Sequence, residues 1–209
     1  MEYHNRSGMV LIPPSSDIDI MMGQATAMVE FEQQVSAYGV GNLDAVIVPC
    51  GGGSLLAGCA TWLKDKPTEV WGAEPFHGGP SLYRSLAAGA LVETDVSTAL
   101  VTVADGQRTK LGAKNWEILR EPGVISGSLP VTEEEILDAL AWYDHEFNQA
   151  IEPSAVVGIA ASASLVQNAR FVKEHEDTGL VLGIILTGSN ISSGRFQQLI
   201  REHKDRKTL

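Results

Sequence analysis

The stretch Asp44 to Ala60, DAVIVPCGGGSLLAGCA, constrains the fold more than any other part of the chain. Ala45 to Val48 is a short apolar run rich in β-branched residues, the pattern of a buried strand. Gly51, Gly52 and Gly53 follow it, then Ser54 and the helix-like SLLAGCATWLK. Consecutive glycines carry no Cβ, so their backbone N–H groups can all turn toward one anion, and a helix N-terminus adds its partial positive charge. Strand, glycine loop and helix in that order make a phosphate cradle. It matches neither of the two familiar ones. The dinucleotide fingerprint needs glycine where Leu56 stands, and a P-loop beginning at Gly53 needs lysine where Cys59 stands. A tight strand-to-helix turn that binds nothing fits the same letters.

Around this unit, strand-like and helix-like segments alternate. Val10-Leu11-Ile12 reads as a short strand. Gly23 to Tyr38 carries Ala25, Met28, Val29, Phe31 and Val35 at helical spacing, with Gly39 as its stop. Val70 to Ala73 is a second strand ending in Glu74-Pro75, and Pro80 to Ala88 suits a helix. Val101 to Ala104 is apolar and breaks at Asp105-Gly106. Leu111 to Leu119 is helical, Gly123 to Val131 reads as a strand, and Thr132 with Glu135 forms a capping box for a helix to Phe147. Pro153 suits a first helical position, ahead of the alanine-rich Ser154 to Val172. Leu180 to Leu186 is a continuous apolar strand that stops at Thr187-Gly188-Ser189-Asn190, and Ile191 to Lys204 is a closing helix. The division is a single unit over 1–204 and a frayed charged tail over 205–209. Continuous apolar strands between helices predict an α/β fold, a parallel sheet covered by helices on both faces. In such sheets ligands lie beyond the C-terminal strand ends, where the glycine loop, Glu74-Pro75 and Thr187-Gly188 all fall.

Bulk properties exclude several classes. A net charge of −11 opposes binding to nucleic-acid backbones or anionic membranes. Cys50 and Cys59 form no metal-spaced pair and read as buried thiols of a cytoplasmic protein. The start MEYHNRSGMV has no secretory h-region, and the longest apolar run, LVLGIIL, is strand-sized. The histidines, His4, His77, His145, His175 and His203, are scattered, so nothing suggests a hydrolase triad.

The ordered set GQATAM, VIVPCGGGSLLAG, AEP, ADGQ, VTEEEI, IEPSA and LTGSN resembles the fold type II pyridoxal-phosphate enzymes, whose fold is that of the tryptophan synthase β chain. The similar branch is that of L-serine/L-threonine dehydratases (ammonia-lyases) and serine racemases. The resemblance runs from Val10 to Asn190. It implies that Gly51, Gly52, Gly53, Ser54 and Leu55 hold the phosphate of pyridoxal 5′-phosphate, with Ser54 in place of a fourth glycine and its hydroxyl free to add a bond. It implies that Thr187 bonds the pyridine nitrogen. A hydroxyl there leaves the nitrogen neutral and the ring a weaker electron sink than a carboxylate would. A strand-end hydroxyl capping the next turn is the plainer alternative.

The same resemblance implies that Glu74 and the carbonyl of Gly78 ligate a Mg²⁺ or Ca²⁺ ion. Pro80 stands where that branch has an aspartate, so a carboxylate is missing. A helix cap or a solvent-facing carboxylate is the plainer alternative for Glu74. Asp105-Gly106 matches a segment along the cofactor's edge, or simply a turn. Glu152-Pro153 matches a motif near the pyridine, or simply a helix start.

The lysine that such enzymes bond to the cofactor lies in an SxKxRG-type motif of their N-terminal half. Lys64, Lys66, Lys110, Lys114, Lys173, Lys204 and Lys207 lie in no such motif. The chain therefore resembles a C-terminal half, with no catalytic residue of its own and no appended regulatory domain. The implied activity is β-elimination from L-serine or L-threonine to a 2-oxo acid and ammonia. Racemisation of serine is the alternative, and a non-catalytic cofactor-binding remnant or subunit is another. The expected partners are a small amino-acid substrate and a second copy of the chain or a separate N-terminal half.

Overall fold

The structure, a computed structural model, describes residues 8–77, 81–94, 101–168, 171–172 and 179–208. Four strands form one parallel sheet: β1 (Ala45–Pro49), β2 (Glu69–Pro75), β3 (Gly127–Val131) and β4 (Leu182–Ile184), in the order β3-β2-β1-β4. β1 pairs on both edges, Ile47 facing Trp71 on one side and Ile184 on the other, and every residue of it is buried. Such a strand must be apolar on both faces, which is why its sequence does not alternate.

The two faces of β1 enter different cores. Val46 and Val48 pack with Met21 and Met28 of α1 (Ile18–Ala37), Leu56 and Leu63 of α2 (Ser54–Leu63), and Trp116 and Leu119 of α4 (Ala113–Leu119). Ala45 and Ile47 pack with Ile136 and Leu140 of α5 (Glu133–Phe147), Val156 and Val157 of α6 (Pro153–Leu165), and Phe196 and Leu199 of α7 (Ser193–Thr208). The short α3 (Ser81–Ala88) follows β2 and adds Leu82 to the first core. The expected doubly covered parallel sheet is therefore present. Among the described residues no helix is long and apolar enough to cross a membrane.

Local chemistry fixes most boundaries. Asp17 caps α1 by accepting from the Asp19 N–H, and Gly39 leaves the helix at φ +67°. The capping box at Thr132 and Glu135 is present as expected. Cys50 and Cys59 are free and buried, and burial pushes the Cys59 thiol up to about 12. α1 and α2 cross at Gly58, where any Cβ would run into the Met21 carbonyl and the Ala25 backbone.

The structure corrects several boundaries. Residues 10–12 form no strand; Val10 and Ile12 are exposed and join no ladder of the sheet. α1 begins at Ile18, ahead of Gly23, because the Asp17 cap lies upstream of the apolar stripe. The third strand begins at Gly127, since Gly123 adopts φ +78°. α6 ends at Leu165, short of Val172, and β4 keeps only Leu182–Ile184. Residues read as a frayed tail continue α7 to Thr208. There Lys207 Nζ and the buried His203 both bind Asp138 Oδ1 of α5, His203 at 2.6 Å. Burial alone would raise Asp138, but those two partners outweigh it and hold the carboxyl below its ordinary 3.8.

The Gly58 contact is with backbone, which cannot swing aside. Gly58→Ala is expected to lower the free energy of unfolding by about 1–3 kcal/mol, measured by urea denaturation.

Candidate functional site

The strand order places a crevice at one point. The chain leaves β1 for α2 on one face of the sheet and leaves β4 for α7 on the other. Loops that part in this way open a gap above the strand ends, where ligands of such sheets bind. Gly51–Gly53 follow β1. Thr187 follows β4, beyond its last bond to β1, from Ile185 N–H to Ile47 O, and lines a cleft with Tyr143, Gln149 and Ile151.

The glycine loop is gripped from several sides. Gly53 is the N-cap of α2 at φ +91°, a left-handed conformation that favours glycine, and a Cβ on it would meet Leu111 at 2.7 Å. Cβ atoms on Gly51 and Gly52 would meet Thr109 at 3.0 Å and Ser15 at 3.1 Å. Cys50 O accepts from Gln107 Nε2 at 3.1 Å, and Gly52 O accepts from Gly112 N at 3.0 Å and from Asn115 Nδ2. Among the described residues no protein acceptor takes the N–H groups of Gly51, Gly52, Gly53, Ser54 or Leu55. Unpaired amides at the start of a helix, on a loop with no room for side chains, suit a phosphate group. The Ser54 hydroxyl does not join them. It is buried, accepts from Ser16 N at 3.2 Å and from Asn115 Nδ2 at 3.1 Å, and its own O–H faces Asn115 Oδ1 at 3.4 Å, so Ser54 offers the site only its backbone.

Of the other motif segments, the Asp105-Gly106 turn borders the glycine loop, with Gly106 O 3.4 Å from where a Cβ on Gly51 would stand. Thr187 is exposed, and no described residue bonds its hydroxyl. Glu152 steadies the loop after it: its N–H donates to Gly188 O at 3.1 Å and its carboxylate accepts from Asn190 N at 2.6 Å. Gly106 N–H donates to Ser154 Oγ at 2.9 Å, tying the Asp105-Gly106 turn to the start of α6. Asp105, Glu152, Pro153 and Asn190 line one cleft of about 600 Å³ together with Arg108 and Arg195.

Glu74 has another occupation than the expected cation. It is buried at the end of β2, and its carboxylate accepts from Leu82 N and Tyr83 N at 2.9 Å each and from the Ser128 hydroxyl at 2.7 Å. It caps α3 from a neighbouring strand. The donors present their positive ends to both oxygens, which does not fit Mg²⁺ or Ca²⁺. Gly78 and Pro80 lie outside the described residues, and among those described no cluster of metal-ligating side chains occurs.

Asn115 and Gln107 were not singled out from the sequence. A signal existed for Asn115: it lies four residues from both Leu111 and Leu119, so it interrupts the apolar stripe of that segment with a polar side chain.

Comparison with known proteins agrees with this geometry. Residues 1–183 match the family described as pyridoxal-phosphate dependent enzyme. L-threo-3-hydroxyaspartate ammonia-lyase of Saccharomyces cerevisiae is 31% identical over 97% of this chain and 57% of its own length. Serine racemase of Dictyostelium discoideum is 34% identical over 91% of this chain and 55% of its own. The crystal structure of a threonine deaminase from T.th. superposes with a TM-score of 0.77 at 34% identity, covering 91% of this chain and 65% of that one. The chain thus spans a little over half the length of these curated relatives.

Two outcomes are expected at Glu74. Glu74→Ala leaves buried amides and a hydroxyl unpaired, and should cost about 2–4 kcal/mol in urea denaturation. Burial lifts the Glu74 carboxyl above its ordinary 4.5, against the pull of the Leu82 and Tyr83 amides and Ser128. The native state then holds the proton more tightly than the unfolded chain. That contribution is complete below pH 4.5 and is lost as pH rises through the raised folded value. Stability of the wild type relative to Glu74→Gln should therefore narrow as pH is raised from acid to neutral.

Proposed function

The chain belongs to the pyridoxal-phosphate-dependent enzyme family, and on that premise we propose that it forms the phosphate-holding and ring-holding wall of an ammonia-lyase acting on a small hydroxy amino acid. The observation that carries this reading is the set of unpaired amides at Gly51–Leu55, on the loop that follows β1, with Thr187 exposed on the loop that follows the neighbouring strand β4. When bound, the cofactor supplies an electron-withdrawing ring that accepts density as the substrate Cα–H bond breaks. In this reading the amides hold its phosphate, Thr187 donates to a neutral ring nitrogen, and Glu152 keeps the Thr187 loop in place. Over the whole reaction, the β-hydroxyl leaves with a proton as water. Addition of water at Cα then releases ammonia and leaves a 2-oxo acid. The group that moves the α-proton is a lysine supplied from outside the motifs seen here. L-serine, L-threonine and L-threo-3-hydroxyaspartate are the substrates to test first, and a homodimer or a paired N-terminal half would complete the site.

Racemisation is the second reading, favoured by the serine racemase among the relatives. A third is cofactor binding without turnover. The test is to add pyridoxal phosphate to the 209-residue chain, follow the visible spectrum, reduce with borohydride, and assay the unreduced sample with each amino acid. Saturable binding competed by inorganic phosphate is expected, weakened by about tenfold or more in Gly52→Val, the equivalent of about 1.4 kcal/mol. A 2-oxo acid product supports the lyase, the D-enantiomer the racemase, and binding alone the remnant. No phosphate-competed binding overturns the reading.

A further inference from the structure

We infer that Asn115 of α4 is a positioning residue for the phosphate cradle: it aims the Gly53 amide at the anion without touching it. The inference rests on the reading of the glycine loop as the phosphate site. The Gly52–Gly53 peptide is trans, as every described peptide is, and in a trans peptide the carbonyl of one residue and the N–H of the next point in opposite directions. Gly52 O is drawn toward α4 by two donors, Gly112 N–H at 3.0 Å and Asn115 Nδ2. The Gly53 N–H, on the far side of the same peptide, is thereby turned away from α4. Asn115 Nδ2 has a second proton, which goes to Ser54 Oγ at 3.1 Å. Ser54 Oγ also accepts from Ser16 N at 3.2 Å. One carboxamide therefore fixes both the middle peptide of the loop and the first residue of α2.

Asn115 is fully buried and its Cβ lies 3.2 Å from where a Cβ on Gly53 would stand, so no anion can reach its side chain. A bare glycine loop has many conformations of similar energy, and freezing one before the anion arrives removes that ordering cost from binding. The Asn115–Ser54 bond also accounts for a serine where the related enzymes have a fourth glycine. Its hydroxyl serves the carboxamide, leaving the anion to the backbone.

The experiment titrates inorganic phosphate into the ¹⁵N-labelled chain and follows the amide resonances of Gly51 to Leu55. Asn115→Leu removes the donors and Asn115→Asp keeps the shape while placing a carboxylate oxygen against Gly52 O. Ile136→Val, in the core on the other face of the sheet, is the control for loss of stability alone. The wild type should show saturable shifts at Gly51 and Gly53. Whichever Asn115 variant folds should bind phosphate about tenfold more weakly or worse, with the Gly53 resonance already displaced before phosphate is added, while Ile136→Val stays within about twofold of wild type. Wild-type affinity and an unmoved Gly53 resonance in an Asn115 variant would overturn the inference and leave the cradle standing. No saturable shift in the wild type would overturn the cradle itself, and the inference with it.

Discussion

Pairing of β1 with a parallel neighbour on each edge is the constraint from which the rest of the structure follows. It buries all five residues of the strand and fixes the direction in which its neighbours must end. The ends of β1 and β2 are joined once more by Gln107, whose Nε2 donates to Cys50 O at 3.1 Å and Ala73 O at 2.9 Å. Each such bond is worth about 1 kcal/mol net, but losing the one to Cys50 O would leave that carbonyl unpaired, a larger penalty, whereas Ala73 O also accepts from Cys50 N–H at 2.8 Å. The loop therefore begins from a strand end that cannot drift. Gly53 at φ +91° then turns the chain into α2 with its free amides at the crevice.

Much of this was legible in the letters. The strand–glycine–helix unit, the parallel sheet, the Thr132 capping box and Pro153 at a helix start are local signals, set by neighbours in sequence. What was not legible depends on partners far along the chain. Val10 to Ile12 has strand-like residues yet joins no ladder, and the ladder of β4 with β1 spans only Leu182–Ile184. The Ser54 hydroxyl was expected to be free to add a bond to the phosphate, yet it is claimed by Asn115, 61 positions away. Polar side chains buried at such separations are where reading by spacing fails, because the partner and not the position decides the role.

Glu74 shows the same limit from the opposite side. A carboxylate at the end of a strand, followed by proline, is compatible with a cation site or a helix cap. The choice is made by α3, whose first amides point back at the carboxylate from the next element. Ser128 of β3 supplies a further donor, so the glutamate fastens three elements at the sheet's C-terminal edge. The hydrogen bonds of its carboxylate all go to these elements of the fold.

The openness of the crevice has a consequence for affinity. Gly51 and Gly52 are half-buried and Thr187 is exposed, so water reaches the groups that would meet a dianion. At 4 Å a pair of unit charges attracts by about 1 kcal/mol in water and about 4 kcal/mol at the dielectric of a protein surface. The same amides, unchanged in position, would therefore grip a phosphate far more firmly once a second wall displaced the solvent. Affinity in this architecture is set by the dielectric of the cover as much as by the hands of the cradle.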